Sequence, residues 1–187
     1  MYRLDDAIDL RRRGRMPFMI VHVRRILTGQ FEAALCMMND CVTKCPPAHW
    51  DGIVGKYPFW TVAYHTLCFV DLYLSPNKES FEFRDVHPCG WKEFDAEYPS
   101  RRFEQNELIA YLQICRTKAV ATIAAETPES LEGPSGFSWL SISRGELHLY
   151  NIRHAQHHTG QLSAYLRKVD ETFQDPKVIR WVSTGWK

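Results

Sequence analysis

The chain has almost no net charge: 23 lysines and arginines stand against 22 acidic residues, a formal +1. Such a balance supplies no global field that would draw it to nucleic acid or to an anionic membrane, so neither is expected as a partner. The nearest basic patch, Arg11-Arg12-Arg13-Gly14-Arg15, follows Asp5, Asp6 and Asp9 and reads as a solvated arm or short surface helix. No apolar leader opens the chain, and no stretch approaches the roughly 18 apolar residues of a membrane span. None of the six cysteines forms a Cys-x-x-Cys pair; they read as reduced thiols of a cytoplasmic protein. There is no His-Glu-x-x-His, so the glutamate base of a zincin is missing. Nor is there a Glu-x-x-His pair on each of two helices, which argues against a di-iron carboxylate site. Ser-His-Asp and Cys-His triads leave no local signature, and there are no repeats.

What is present is enough for one domain with a sizeable core: 187 residues, 45% hydrophobic and 13% aromatic. Residues 1–17 are polar and charged, and read as an extension to the main fold. From about Phe18 to about Lys44, Val23, Leu27, Phe31, Ala34, Leu35, Met38 and Val42 recur with the helical period. Gly29 weakens this helix and Pro46-Pro47 ends it. After a connection over 46–57, a second helix starts near Pro58 and continues to about Leu74. It is apolar almost all round, with His65 at its centre, as in a helix buried on most sides. Residues 75–103 hold Pro76, Pro88, Gly90 and Pro99 and show no period. At ~3.3 Å per extended residue this stretch can return along a bundle and let helices two and three run parallel. The third helix, about Glu104 to Thr127, carries Leu108, Tyr111, Leu112, Cys115, Ala119 and Ile123 on one stripe. A loop over 128–143 leads to Ser143, an N-cap with Glu146 three residues on, and a fourth helix from about Arg144 to Val169. Trp181 and Trp186 predict that the tail, 170–187, packs on the bundle or on a partner subunit. These elements predict an all-α four-helix bundle over 18–169, with a long crossover between helices two and three.

Three of the eight histidines fall in one stretch, Asn151 to Leu162, on the fourth helix. Residues four apart on a helix stand one above the other, so His154 and His158 point the same way. His157 lies about 100° from His158, on the flank, and reads as a bystander. Leu147, Tyr150, Asn151, His158, Gln161, Tyr165 and Val169 cluster within about 60° of His154, which sets the pair in an inward stripe. Two imidazoles buried together are costly unless a metal or a hydrogen-bond network satisfies them. His65 is the expected third ligand. Three neutral imidazoles with an open position suit a divalent transition metal, zinc or nickel first, then iron, manganese or cobalt. Asn151 and Gln161 lie on the metal side, and Gln161 and Tyr165 are candidates to line a pocket. His22, His49, His87 and His148 show no paired spacing and read as surface or capping residues. Cys41 and Cys45, four apart, read as packing residues.

His154-Ala155-Gln156-His157-His158-Thr159-Gly160-Gln161-Leu162, followed by Tyr165-Leu166-Arg167, resembles the last-helix signature of the DinB/YfiT-like superfamily. His65 in Tyr64-His65-Thr66-Leu67 resembles its second-helix histidine. The resemblance covers about residues 18–169. It implies a four-helix bundle with the long crossover and a metal held by His65, His154 and His158. It also implies a homodimer as the common assembly. Some members are metal-dependent transferases acting on low-molecular-weight thiols; others have isomerase or hydrolase-like roles. The leading expectation is a thiol S-transferase acting on small electrophiles. The alternatives are a hydrolase using a metal-bound water and a non-catalytic metal-binding, stress-response bundle. The resemblance does not reach residues 1–17, the 75–103 loop or the tail.

Overall fold

The computed structural model describes residues 4–95 and 99–187, with side chains from Met19 onward, Asp95 apart. Its elements are α1 (Leu4–Lys44), a short antiparallel hairpin of β1 (Ile53–Val54) and β2 (Tyr57–Pro58), α2 (Phe59–Tyr73), α3 (Lys92–Asp95), α4 (Gln105–Ala125), α5 (Pro128–Glu132) and α6 (Arg144–Val169). α1, α2, α4 and α6 form the expected all-α bundle. In cross-section the order is α1, α4, α2, α6, so α1 and α2 lie on a diagonal.

Side-chain contacts fix the directions. The Gln105 amide, at the start of α4, donates to the carbonyls of Val42 and Cys45 at the end of α1, so those helices are antiparallel. Cys115 donates to the Leu67 carbonyl and Thr122 to that of Leu74, so α2 and α4 run parallel, as the long crossover predicts. Phe31 meets His148, and Cys41 reaches the carbonyl of Thr159, so α1 and α6 are parallel too.

In α1 the expected stripe from Leu27 through Phe31, Ala34, Leu35, Met38 and Val42 is buried. The helix begins at Leu4 rather than near Phe18. The segment expected as an extension is rich in leucine, arginine and methionine, good helix formers that propagate a helix beyond its packed part. Residues 1–3 of that segment lie outside the described residues. In α2 every residue except His65 and Phe69 is buried. These two stand four apart on one face, which is open to a cavity.

The crossover is held by ionic and hydrogen-bonded anchors. Asp71 on α2, fully buried, pairs with Lys118 on α4 at 2.6 Å and with Arg84 of the crossover at 3.4 Å. The Arg84 N–H donates to His87 Nδ1 at 3.2 Å, which makes that nitrogen an acceptor. His87 Nε2–H therefore donates to Tyr111 Oη at 2.9 Å, and the tyrosine hydroxyl donates to Asp71 Oδ2 at 3.1 Å. His87 is thus a buried, neutral strut, not a surface residue, and burial lowers its pKa accordingly.

At the same end of α2, Arg144 lies buried and donates to the carbonyls of Tyr73, Leu74 and Ser75, at 3.2, 3.2 and 2.8 Å. It thereby caps the last turn of α2, whose carbonyls lack partners within the helix. Its Nε also donates to Glu126 Oε1 at 3.0 Å, an oxygen that His148 Nε2 approaches at 2.7 Å. His148 is fully buried, again not on the surface. α6 itself starts and stops where its sequence predicts, with the Ser143–Glu146 capping box formed on both sides.

The tail folds back on α1. Ile179 and Val182 are buried, the Lys44 ammonium bonds to the Val178 carbonyl, and Trp186 stacks under the Arg116 guanidinium at 4.2 Å. A Cβ at Gly29 would lie 2.4 Å from Thr184 Oγ1, so the mid-helix glycine is where the tail crosses. Trp181, expected to pack, is 79% exposed. α4 also corrects an expectation: by length and composition it is apolar enough to cross a membrane. Here it is one wall of the bundle, with Arg116 bound to Glu32 and Lys118 to Asp71.

Candidate metal centre

α6 turns a different face to the core from the one its hydropathy suggests. Its buried residues include His148, Asn151, Ala155, Thr159, Leu162, Ser163 and Leu166. Thr159 and Ser163 are inside, while Tyr150, Gln161 and Val169, expected in the inward stripe, are exposed. The true core direction lies about a quarter turn from His154. The histidine pair consequently stands at the edge of the buried face, half-buried, where a ligand can approach from one side.

His65 on α2 faces this pair. Its ring centroid lies 5.5 Å from that of His154 and 5.1 Å from that of His158, and those two are 4.7 Å apart. One ring nitrogen from each falls within 4.8 Å of the other two, close enough for a single ion. Phe69 packs on His65 at 4.8 Å and on His154 at 5.8 Å, forming an apolar side to the cluster. His157 is exposed and outside this group of three, as its phase predicts.

The cluster is built for the neutral imidazole. Burial lowers the pKa of His154 to about 3, helped by repulsion from His158 and His65. Burial, then His158, lowers that of His65 to about 4, although His65 keeps an exposed edge toward the cavity. Burial lowers His158 as well. Unprotonated ring nitrogens with their lone pairs available are what a metal requires. His158 shows its orientation directly. Its Nδ1 lies 2.8 Å from Gln161 Oε1, an oxygen that can only accept, so Nδ1 carries the proton and Nε2 keeps its lone pair. The donor set therefore fits a borderline transition ion such as zinc.

His65 and His158 open into a cavity of about 360 Å³. Gln161 lines it, as expected; Tyr165 does not. Tyr165 instead packs on Phe59 and covers Gly52, where a Cβ would lie 1.7 Å from its hydroxyl oxygen. It thus supports the β1–β2 hairpin, whose Val54, Gly55 and Tyr57 form one cavity wall.

The opposite wall comes from the crossover and includes Phe94 and a buried carboxylate, Glu93. Glu93 accepts from the backbone N–H groups of Cys89 and Ser100, both at 3.2 Å, from the Ser100 hydroxyl, and from Tyr64 Oη at 3.3 Å. Among the described residues, no ion pair engages it. It lies in a segment without periodicity, and nothing in its local sequence marks it. All six cysteines are free thiols. Burial raises the pKa of Cys41 and of Cys45 to about 12, so both stay protonated and serve as packing residues.

No curated protein and no solved structure matched this chain. The family model described as the DinB superfamily matches residues 30–162, which runs from the middle of α1 to the end of the histidine motif. That span takes in most of the bundle and all three facing histidines, and on that ground the chain belongs to the DinB superfamily.

Proposed function

We propose that His65, His154 and His158 hold one divalent transition ion, zinc or nickel, in a mononuclear enzyme that transfers a low-molecular-weight thiol to a small electrophile. The observation that carries this reading is the convergence of three neutral imidazoles from two helices, two of which, His65 and His158, line an open cavity. An ion bound there supplies a Lewis acid that makes a thiol ionise near neutral pH. The protein's own part is to hold the three rings neutral, to fix the His158 tautomer through Gln161, and to place Phe69 and Phe94 as apolar walls. Cys41, Cys45, Cys68 and Cys115 are buried and held protonated, so none of these four supplies the reacting thiol.

The test is conjugation of 1-chloro-2,4-dinitrobenzene or monobromobimane by the zinc- or nickel-loaded protein, with a panel of small thiols. Thiol-dependent turnover lost in His65→Ala is the expected result.

One observation favours a second reading, metal-assisted hydrolysis. Glu93 supplies the carboxylate that the histidine motif lacks, and it stands in the same cavity. Turnover of nitrophenyl esters without thiol, abolished in Glu93→Gln, would select this reading over transfer.

A further inference from the structure

Three buried polar atoms on the inner face of α6 have no hydrogen-bond partner among the described residues: His148 Nδ1, Asn151 Oδ1 and His154 Nδ1. They occur at intervals of three along one helix, where side chains are neighbours. An orphan of this kind is costly, and each such atom in a native protein calls for an explanation. The middle one belongs to a residue that is itself fully buried and held from the other side. Asn151 Nδ2 donates to the Val70 carbonyl of α2 at 3.1 Å, which fixes Oδ1 as the free end of the amide.

We infer that Asn151 is the positioning residue of His154: its Oδ1 accepts the Nδ1–H of that ring when Nε2 is used as the metal ligand. The inference rests on the three-histidine reading above. The chemistry is complementary. A neutral imidazole that gives Nε2 to a metal carries its proton on Nδ1, and that proton needs an acceptor. Asn151 Oδ1 is a carbonyl oxygen that can only accept and, among the described residues, receives nothing. The same helix already shows the arrangement at its other ligand, where His158 Nδ1–H donates to Gln161 Oε1, also three residues away. The two ligands are then oriented alike, one by an amide three residues before it and one by an amide three residues after it. The Val70 bond adds a second effect. Val70 lies five residues beyond His65 on α2, so one side chain ties the ring of His154 to the helix that carries the third ligand.

The experiment is zinc affinity at pH 7, by competition with a chromophoric chelator, for wild type, Asn151→Leu and Asn151→Asp. Chelator-treated samples are melted in parallel. Both substitutions remove the donor to Val70 and lower the melting temperature of the metal-free protein. Only Asp keeps an oxygen for His154 Nδ1–H. The expected result is a zinc affinity 10- to 100-fold weaker in Asn151→Leu and within threefold of wild type in Asn151→Asp. Equal affinities in wild type and Asn151→Leu, or equal losses in both variants, overturn the inference. Histidine nitrogen NMR of the zinc-loaded wild type gives an independent reading. His154 should appear as the Nδ1–H tautomer, and an Nε2–H tautomer overturns the assignment. If wild type itself takes up no zinc, the metal reading has failed, which is a separate outcome from the failure of Asn151 alone.

Discussion

Arg144→Met gives a stability test at a site well separated from the histidines. The guanidinium is buried and makes four hydrogen bonds, three to the carbonyls that end α2 and one to Glu126. Methionine fills much of the space and supplies no donor. The Tyr73 and Ser75 carbonyls then lose their Arg144 donor, that of Leu74 keeps only Thr122, and Glu126 is left buried with His148 and Ser130 but without its cation. Breaking a buried pair by removing one partner costs about 3–5 kcal/mol, and uncapped carbonyls act in the same direction. We expect about 4 kcal/mol, a large share of the 5–15 kcal/mol typical of a domain. With a urea slope of roughly 2 kcal/mol/M, the midpoint falls by about 2 M. Arg144→Lys restores a charge without the planar fork and should recover about half of the loss. Zinc affinity, ten residues along α6 from the nearest ligand, should be unchanged in whatever remains folded. A loss under 1 kcal/mol for Arg144→Met would refute the assignment of this network as the structural clamp between α2, α4 and α6.

Two further outcomes follow from the buried groups. In the metal-free protein, His65 and His154 titrate at about 4 and about 3, below the ~6.5 of an unfolded chain, so between those values the unfolded state binds more protons. Stability should therefore fall as pH drops from about 6.5 toward 4, by at most ~1.4 kcal/mol per pH unit for each histidine and by less for solvent-touched His65. Urea midpoints at pH 7, 6 and 5 measure this, and a slope equally steep in His154→Leu would contradict it. Tyr111→Phe removes the hydroxyl linking His87 to Asp71 and should cost about 2 kcal/mol, while hydrogen exchange speeds up at residues 84–87.

Most of the bundle was legible because its helices carry strong punctuation. Pro46-Pro47 ends α1 at Lys44, and the Ser143–Glu146 box starts α6 at Arg144. The trio of facing histidines was legible from a four-residue spacing and one histidine in a helix apolar almost all round. The phase of α6 was not, because its core positions are filled by small polar residues where helices approach closely. Thr159 is buried with its hydroxyl bonded to the Ala155 carbonyl at 2.8 Å, a local bond that hydropathy does not register. His87 and His148 were misplaced for a related reason. Each is buried by partners far away in sequence, Tyr111 and Glu126, that no local pattern connects to them. Glu93 was out of reach altogether, since the crossover that presents it has no period and is positioned by tertiary contacts. The hairpin strands, two residues each, are too short for alternation to show.

The most direct measurement of the central claim is metal content by elemental analysis of the purified protein and four single variants. Wild type should hold one divalent transition ion per chain. His65→Ala, His154→Ala and His158→Ala should each lose it, while His157→Ala, whose ring is exposed and lies outside the cluster, should keep it. Stoichiometric metal retained in His65→Ala would contradict a centre shared between α2 and α6. Metal lost from His157→Ala but kept in His158→Ala would contradict the choice of ligands on α6.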